Sequence, residues 1–436
     1  MDRSDRAIRK IVAWATSLLY HRVEVRERPD LTAEGPILAN ASHFGGFSDP
    51  LLLIHAMDRV PRFIGRDVIW KNPIARAVVT WVGAIPVHKP EDGAGSSNDQ
   101  MFASTYRALA DGELVTIFPE GITVDDPAIA AIKTGSARIA LGARASGVQG
   151  LRIVSAGIHY SNKAALRSDV FVDIGWEIDL DRSIDSFVDP GEEASAENRH
   201  AVRRLTDEME RRLREAAPDF EDWRTARALS NAAAIALRDD DEGDPPGHAD
   251  RERLARLIDD APDGPRAAVV AAVETYEDDL DAVGLDDDMW VSGLTSARSF
   301  TWHLVRTLVI GLLLLPFAIV GAVVNAVPFA LVWLIGRLRV SDAMMATVKP
   351  LGALAVFLLT WIGWVVWAFL NGGLGAGLAV GLLMPVYLFA VIAWFERVVL
   401  LKRGFEGLFR SRRGAGLYEQ IATHRRAVVE AVADAL

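Results

Sequence analysis

The sequence predicts an α/β domain followed by an α-helical membrane region. Three observations predict it. Between residues 35 and 180, short apolar runs alternate with helix-length stretches, the rhythm of strands and helices layered on one sheet. Residues 307–336 carry no charge over 30 positions and residues 350–395 none over 46, whereas a helix needs about 20 apolar residues to cross a bilayer. The chain of 436 residues is 50% hydrophobic yet 24% charged, a mixture that fits a soluble part joined to a membrane part.

The elements follow in order. The N-terminus places Ile8, Ile11, Val12, Ala15, Leu18 and Leu19 at helical spacing behind Arg6, Arg9 and Lys10. Its apolar stretch, 11–20, is too short to span a membrane and no small-residue cleavage site follows, so we expect no signal peptide. It reads as a helix packed on the domain or lying in a membrane interface. Strands are expected at 36–40, 62–65, 84–87, 114–118, 150–159 and 170–178, with helices at 50–57, 73–82, 100–111 and 134–146 between them. Residues 196–235 read as a charged helix with pairs such as Glu208 and Arg212. An acidic tract follows, 18 Asp and Glu against 5 Arg between 235 and 290. Within it 239–246 reads as an exposed linker and 254–282 as a surface helical element. The net charge of −11 is therefore local, since the tract holds −13 and the remainder sums to +2. The acidity excludes nucleic acid as a partner.

In the last third, Pro316 and Asn325-Ala-Val-Pro328 interrupt the first apolar run, and Asn371-Gly372-Gly373 divides the second into two spans. Basic residues flank both runs: Arg298 and Arg306, Arg337 and Arg339, Lys349, then Arg397, Lys402, Arg403, Arg410, Arg412 and Arg413. Two hairpins with every end on the cytoplasmic side account for all of them. The domain boundaries expected are 1–215 for the α/β domain, 216–296 for the charged helical segment, 297–400 for membrane or re-entrant hairpins, and 401–436 for a basic tail helix.

Three motifs carry candidate chemistry. Asn40-Ala-Ser-His43-Phe-Gly45-Gly46-Phe-Ser-Asp49-Pro50 lies where a strand ends and a helix begins, the address of active-site groups in open α/β sheets. An Asp can fix the tautomer of a His, leaving the other ring nitrogen to take a proton. Taken alone, the pair reads more readily as a solvent-exposed loop histidine. Phe118-Pro119-Glu120-Gly121 follows a buried strand, and Lys133-Thr134-Gly135 opens a helix whose N-terminus suits phosphate; ordinary surface charges would read the same. Gly83-Ala-Ile-Pro-Val-His88-Lys89 ends a strand in two cationic groups, a hold for an anion or a plain surface strand end. The absence of cysteine excludes disulfides and thiol nucleophiles, and the 9 scattered His show no metal-ligand spacing, so no metal is expected.

Jointly and in order, these motifs resemble the PlsC-like phospholipid/glycerol acyltransferase superfamily over roughly residues 20–180. Phe63-Ile-Gly-Arg66-Asp67, Lys71-Asn72-Pro73, Leu109-Ala-Asp-Gly112, Lys133-Thr-Gly135, Gly157-Ile-His-Tyr160 and Ala216-Pro-Asp-Phe-Glu-Asp-Trp223 are similar to the membrane-bound glycerol-3-phosphate/dihydroxyacetone-phosphate acyltransferase branch. The resemblance implies a mixed sheet flanked by helices and transfer of an acyl group from acyl-CoA or acyl carrier protein to a phosphorylated glycerol acceptor or lysophospholipid, with no cofactor and with membrane lipid as partner. It implies His43 as base and Asp49 as its orienter. Lys89 would bind the acceptor phosphate, with Arg66 and Lys133 also binding substrate. Glu120 and Gly121 would shape the acceptor site, Gly121 through its backbone N–H. Three departures stand out. Five residues rather than four separate His43 from Asp49, Lys89 replaces an Arg and its bidentate fork, and Ile122 replaces a small polar residue. Another lipid or glycolipid alcohol as acceptor, or a non-catalytic membrane scaffold of the same fold, are the competing readings.

Overall fold

The computed structural model describes residues 3–27, 29–31, 34–88, 98–238, 245–291, 297–411 and 415–436. The chain divides into two compact units, Met1–Asp219 with Arg339–Leu351, and Phe220–Leu338 with Gly352–Leu436.

The first unit contains α1 (Arg3–Leu19), β1 (Tyr20–Glu27), β2 (Ile37–Ala41), α2 (Ser48–Ala56), β3 (Arg62–Arg66), α3 (Pro73–Trp81), β4 (Ile85–Val87), α4 (Asp99–Ala110), β5 (Leu114–Ile117), α5 (Gly135–Ala145), β6 (Arg152–Tyr160), β7 (Ser168–Ile174), β8 (Ile178–Asp179), α6 (Leu180–Ser183) and α7 (Arg199–Ala216). The sheet runs β1-β7-β6-β2-β5-β3-β4, with β8 pairing β6. It is mixed: β2, β3, β4, β5 and β6 are parallel along their shared edges, and β7 and β8 run antiparallel to β6. Central β2 buries all five of its residues because β5 and β6 flank it and both its faces are covered. One face packs on α4, α5 and α7 through Leu38, Val115, Ile153, Leu109, Ile139 and Leu205. Each such side chain contributes about 1.5–3 kcal/mol when fully buried. The α5 residues Ser136, Ala137, Ala140 and Ala143 are small enough to let that helix lie close on the sheet.

The expected 170–178 strand is two strands, β7 and β8, parted at an exposed Trp176. Strand β1 was not expected. It is an edge strand pairing parallel with β7, and its charges alternate with Val23 and Val25. Helix α1 buries Ile8, Val12, Ala15 and Leu19 and packs against α2, so it is docked on the domain, with Ile11 and Trp14 facing outward.

The second unit contains α8 (Trp223–Leu237), α9 (His248–Asp259), α10 (Asp263–Val283), α11 (Asp287–Val291), α12 (Ala297–Val324), α13 (Ala326–Ile335), α14 (Asp342–Ser411, its first turns in the other unit) and α15 (Ala415–Ala435). The acidic segment is more than a solvated surface. Val269, Val273, Tyr276, Leu280 and Val283 form a buried stripe on α10, and a single core joins them to Leu229 of α8 and to Ile421 and Val428 of α15. Thus the expected tail helix is part of this core. The expected linker at 239–246 falls largely outside the described residues.

Leu304–Val324 and Met344–Val399 are long and apolar enough to cross a membrane. The first run folds as the half-depth hairpin expected from Asn325 and Pro328: along α13 Asn325 meets Trp361, Phe329 meets Phe357 and Ile335 meets Gly352, whereas Gly321 of α12 lies back against Tyr387 and Val391. The helical ladder stops there: the Asn325 N–H to Gly321 O bond at 3.0 Å closes α12 and the Phe329 N–H to Asn325 O bond at 3.0 Å opens α13. Pro328 sits in the first turn of α13, where a missing N–H costs little. The second run reverses as well. Gly373 has φ +74°, a conformation costly for other residues, and beyond it Gly377 lies back against Phe369 and Val365.

Candidate active site

Strand β2 ends at the carboxyl edge of the sheet, and the loop that follows is pinned before it carries any chemistry. Ser42 N–H donates to Ala156 O at 3.0 Å, and the Ser42 hydroxyl oxygen accepts from Ile158 N–H at 3.0 Å, tying the loop to β6. His43 N–H donates to Glu120 Oε1 at 2.9 Å, and His43 O accepts from Val124 N–H at 2.9 Å. The imidazole stacks on Phe118 with centroids 4.2 Å apart. Backbone and ring are therefore both fixed.

His43 Nδ1 meets Asp49 Oδ2 at 2.8 Å. Asp49 is fully buried at the start of α2, and a buried carboxylate is costly unless paired and hydrogen-bonded. Here its oxygens also accept from Gly45 N–H at 2.9–3.0 Å and from the Tyr160 hydroxyl at 2.6 Å. Gly45 has to be glycine, because a Cβ there would lie 2.2 Å from the Tyr160 oxygen. Burial and the adjacent Asp49 charge push the Tyr160 hydroxyl well above its usual range, so it remains a neutral donor. Tyr20, pushed up to about 12 by burial, lies beside Tyr160 with ring centroids 6.4 Å apart.

Glu120 is 2% exposed, and burial raises its carboxyl to about 7. Its two oxygens accept from His43 N–H and Ala130 N–H, both at 2.9 Å. It joins the histidine loop to the loop before α5. Gly121 N–H, expected as a donor to the acceptor, closes its own turn onto Phe118 O at 3.0 Å. Lys133 donates its N–H to Pro119 O at 2.9 Å, and its ammonium lies beside Gly121, 2.7 Å from where a Cβ would stand.

Of the residues expected from sequence, the fold thus brings together His43, Asp49, Glu120, Gly121 and Lys133. Arg66 ends β3, exposed, in register with Val87 of β4 and one strand over from β5. Lys89 lies outside the described residues. Next to it, His88 Nδ1 meets Asp67 Oδ2 at 2.7 Å, a second pair at the same edge. Tyr160, Tyr20 and Ser48 had no derived role in the sequence. The only cue was Tyr160 closing the apolar run of β6, and nothing local reveals that it reaches Asp49, 111 positions away. A histidine so held can accept a proton at Nε2 and return it.

The acyltransferase family model matches residues 22–159. That segment runs from β1 through β6 and includes His43, Asp49 and Glu120. No curated protein matches the chain. Among solved structures the chain is similar to the 1-acyl-sn-glycerophosphate (LPA) acyltransferase PlsC from Thermotoga maritima. The identity is 17% and the TM-score 0.36, over 48% of this chain and 78% of that one.

Proposed function

We propose that this protein is a membrane-anchored O-acyltransferase that moves a fatty acyl group from a thioester, acyl-CoA or acyl carrier protein, to the hydroxyl of glycerol 3-phosphate or a lysophospholipid. The observation that carries the reading is His43 fixed by Asp49 at 2.8 Å within the segment that matches the acyltransferase family model. His43 Nε2 takes the acceptor hydroxyl proton as the oxygen attacks the thioester carbonyl. The tetrahedral intermediate collapses, the C–S bond breaks, and the imidazolium returns the proton to the departing thiolate. Acyl ester and free thiol are the products, with no covalent acyl-enzyme and no cofactor. Lys133, Arg66 and Lys89 are the candidate cations for the acceptor phosphate.

Membrane anchoring rests on the two long apolar helices, whose Leu312, Leu313, Leu359 and Leu382 face outward. Helices α8 and α10 before this region share a core with α15 after it. They therefore lie on one side of any bilayer, and the chain crosses between them an even number of times. The basic residues 397–413 assign that side to the cytoplasm. A reporter fused after Leu436 is expected to face the cytoplasm, and an external reporter would refute the assignment.

Activity is tested by thiol release in membranes holding the protein. Each thioester is offered with glycerol 3-phosphate, dihydroxyacetone phosphate, 1-acylglycerol 3-phosphate and a glycolipid in turn. Acceptor-dependent release is expected with a phosphorylated glycerol, and His43→Ala should lower it by about 10²- to 10⁴-fold. Near-normal transfer by H43A would overturn the mechanism.

A further inference from the structure

Helix α2 begins one residue before Asp49, and nothing in its own sequence caps it. Phe47 stands at the N-cap position, where Ser, Thr, Asp or Asn would supply an acceptor, and it makes no side-chain cap bond. The missing contacts come from residues about 300 positions later, in the Arg339–Leu351 segment that belongs to the same compact unit. Thr347 Oγ1 accepts from Phe47 N–H at 3.2 Å. The Ser48 hydroxyl, 1% exposed, donates to Ala346 O at 2.9 Å. Met345 and Ala346 are buried beside these bonds, and Lys349 Nζ donates to Ala164 O at 3.2 Å, holding the segment beyond the turn after β6.

We propose that Thr347 and the Ala346 carbonyl are positioning groups for the catalytic pair: the opening turns of α14 set the start of α2, and with it the angle at which Asp49 meets His43. The inference rests on the acyltransferase reading above. Its physical basis is adjacency. Phe47 and Ser48 are the two residues immediately before Asp49, and a carboxylate that must meet an imidazole nitrogen, a backbone N–H and a tyrosine hydroxyl together tolerates little rotation of its own backbone. Locally that backbone is held by Ser48 N–H to Gly45 O at 3.1 Å and by the Gly45 N–H bonds to Asp49, and the segment leading into an apolar helix supplies the remaining contacts.

The test compares Thr347→Val, which keeps the shape and removes the acceptor, with Thr347→Ser, which keeps the acceptor. Both are assayed in membranes beside wild type and H43A, reading kcat and KM for thioester and acceptor separately. T347V is expected to lower kcat about three- to tenfold, the scale of one hydrogen bond, with both KM values within twofold. T347S is expected to restore kcat to within twofold of wild type. Unchanged kcat in T347V, a loss confined to KM, or a T347S as impaired as T347V each overturns the proposal. Should T347V fail to accumulate, Ser48→Ala removes the other bond of the same clamp and is judged by the same kcat criterion. The H43A control separates the two readings. An active H43A sinks the mechanism itself, whereas an inactive H43A beside a normal T347V sinks only the positioning role.

Discussion

Two histidine–aspartate pairs stand at the carboxyl edge of one sheet with nearly the same contact distance, 2.8 Å for His43 with Asp49 and 2.7 Å for His88 with Asp67. Their surroundings differ. Asp49 is fully buried and accepts from Gly45 N–H and Tyr160 as well as from the ring. The Asp67 side chain is 19% exposed, and its Oδ1 has no hydrogen-bond partner among the described residues. His43 is further held by its stacking on Phe118 and by Glu120 at its backbone. A short ring-to-carboxylate distance records only that two groups touch. What prepares a base is a carboxylate that cannot turn away, and its other donors supply that.

The comparison breaks most visibly by changing each carboxylate in turn. Asp49→Asn should lower kcat by about 10²- to 10³-fold. The amide cannot accept from all the donors that converge there, and the tautomer control of His43 is lost. Asp67→Asn should leave kcat within about threefold. Thiol-release kinetics on both variants check this, and a D67N as damaged as D49N would remove the distinction between the pairs.

A smaller effect sharpens the same point. Tyr160→Phe keeps the ring and deletes one of the donors on Asp49. The expected loss in kcat is about three- to tenfold, with substrate KM values unchanged. A full-rate Y160F would show that Gly45 N–H alone holds the carboxylate. Strong loss with raised KM would instead place the tyrosine against substrate.

Much of the sheet was legible because central parallel strands are buried on both faces and read as apolar runs, as in Ile37–Ala41 and Leu114–Ile117. Edge strand β1 was hidden since only alternate residues are apolar and the rest are charged. The stripe on α10 was masked by its own acidity, because net charge averages over faces that a helix keeps apart. Asn325 suggested a reversal, and its side chain, donating to Gly321 O at 2.9 Å and accepting from Trp361 at 2.9 Å, holds the turn between α12 and α13. Gly373 could be read correctly because a positive φ is a property of one residue. In the site, His43 and Asp49 were visible as a spaced motif. The anchors supplied by Tyr160 and Thr347 were not, since sequence spacing carries no information about contacts made over 111 and 300 positions.

Residues 339–351 belong to the same compact unit as residues 1–219, and this has a consequence for biogenesis. As the chain leaves the ribosome, the sheet can assemble once residue 219 is out, but the bonds from the Phe47 amide and Ser48 hydroxyl to Thr347 and Ala346 cannot form until 128 further residues are made. At about 5–20 residues per second that interval is roughly 6–26 s. Translation therefore sets a delay: the start of α2 gains its contacts from this segment only after the first apolar run has been synthesised.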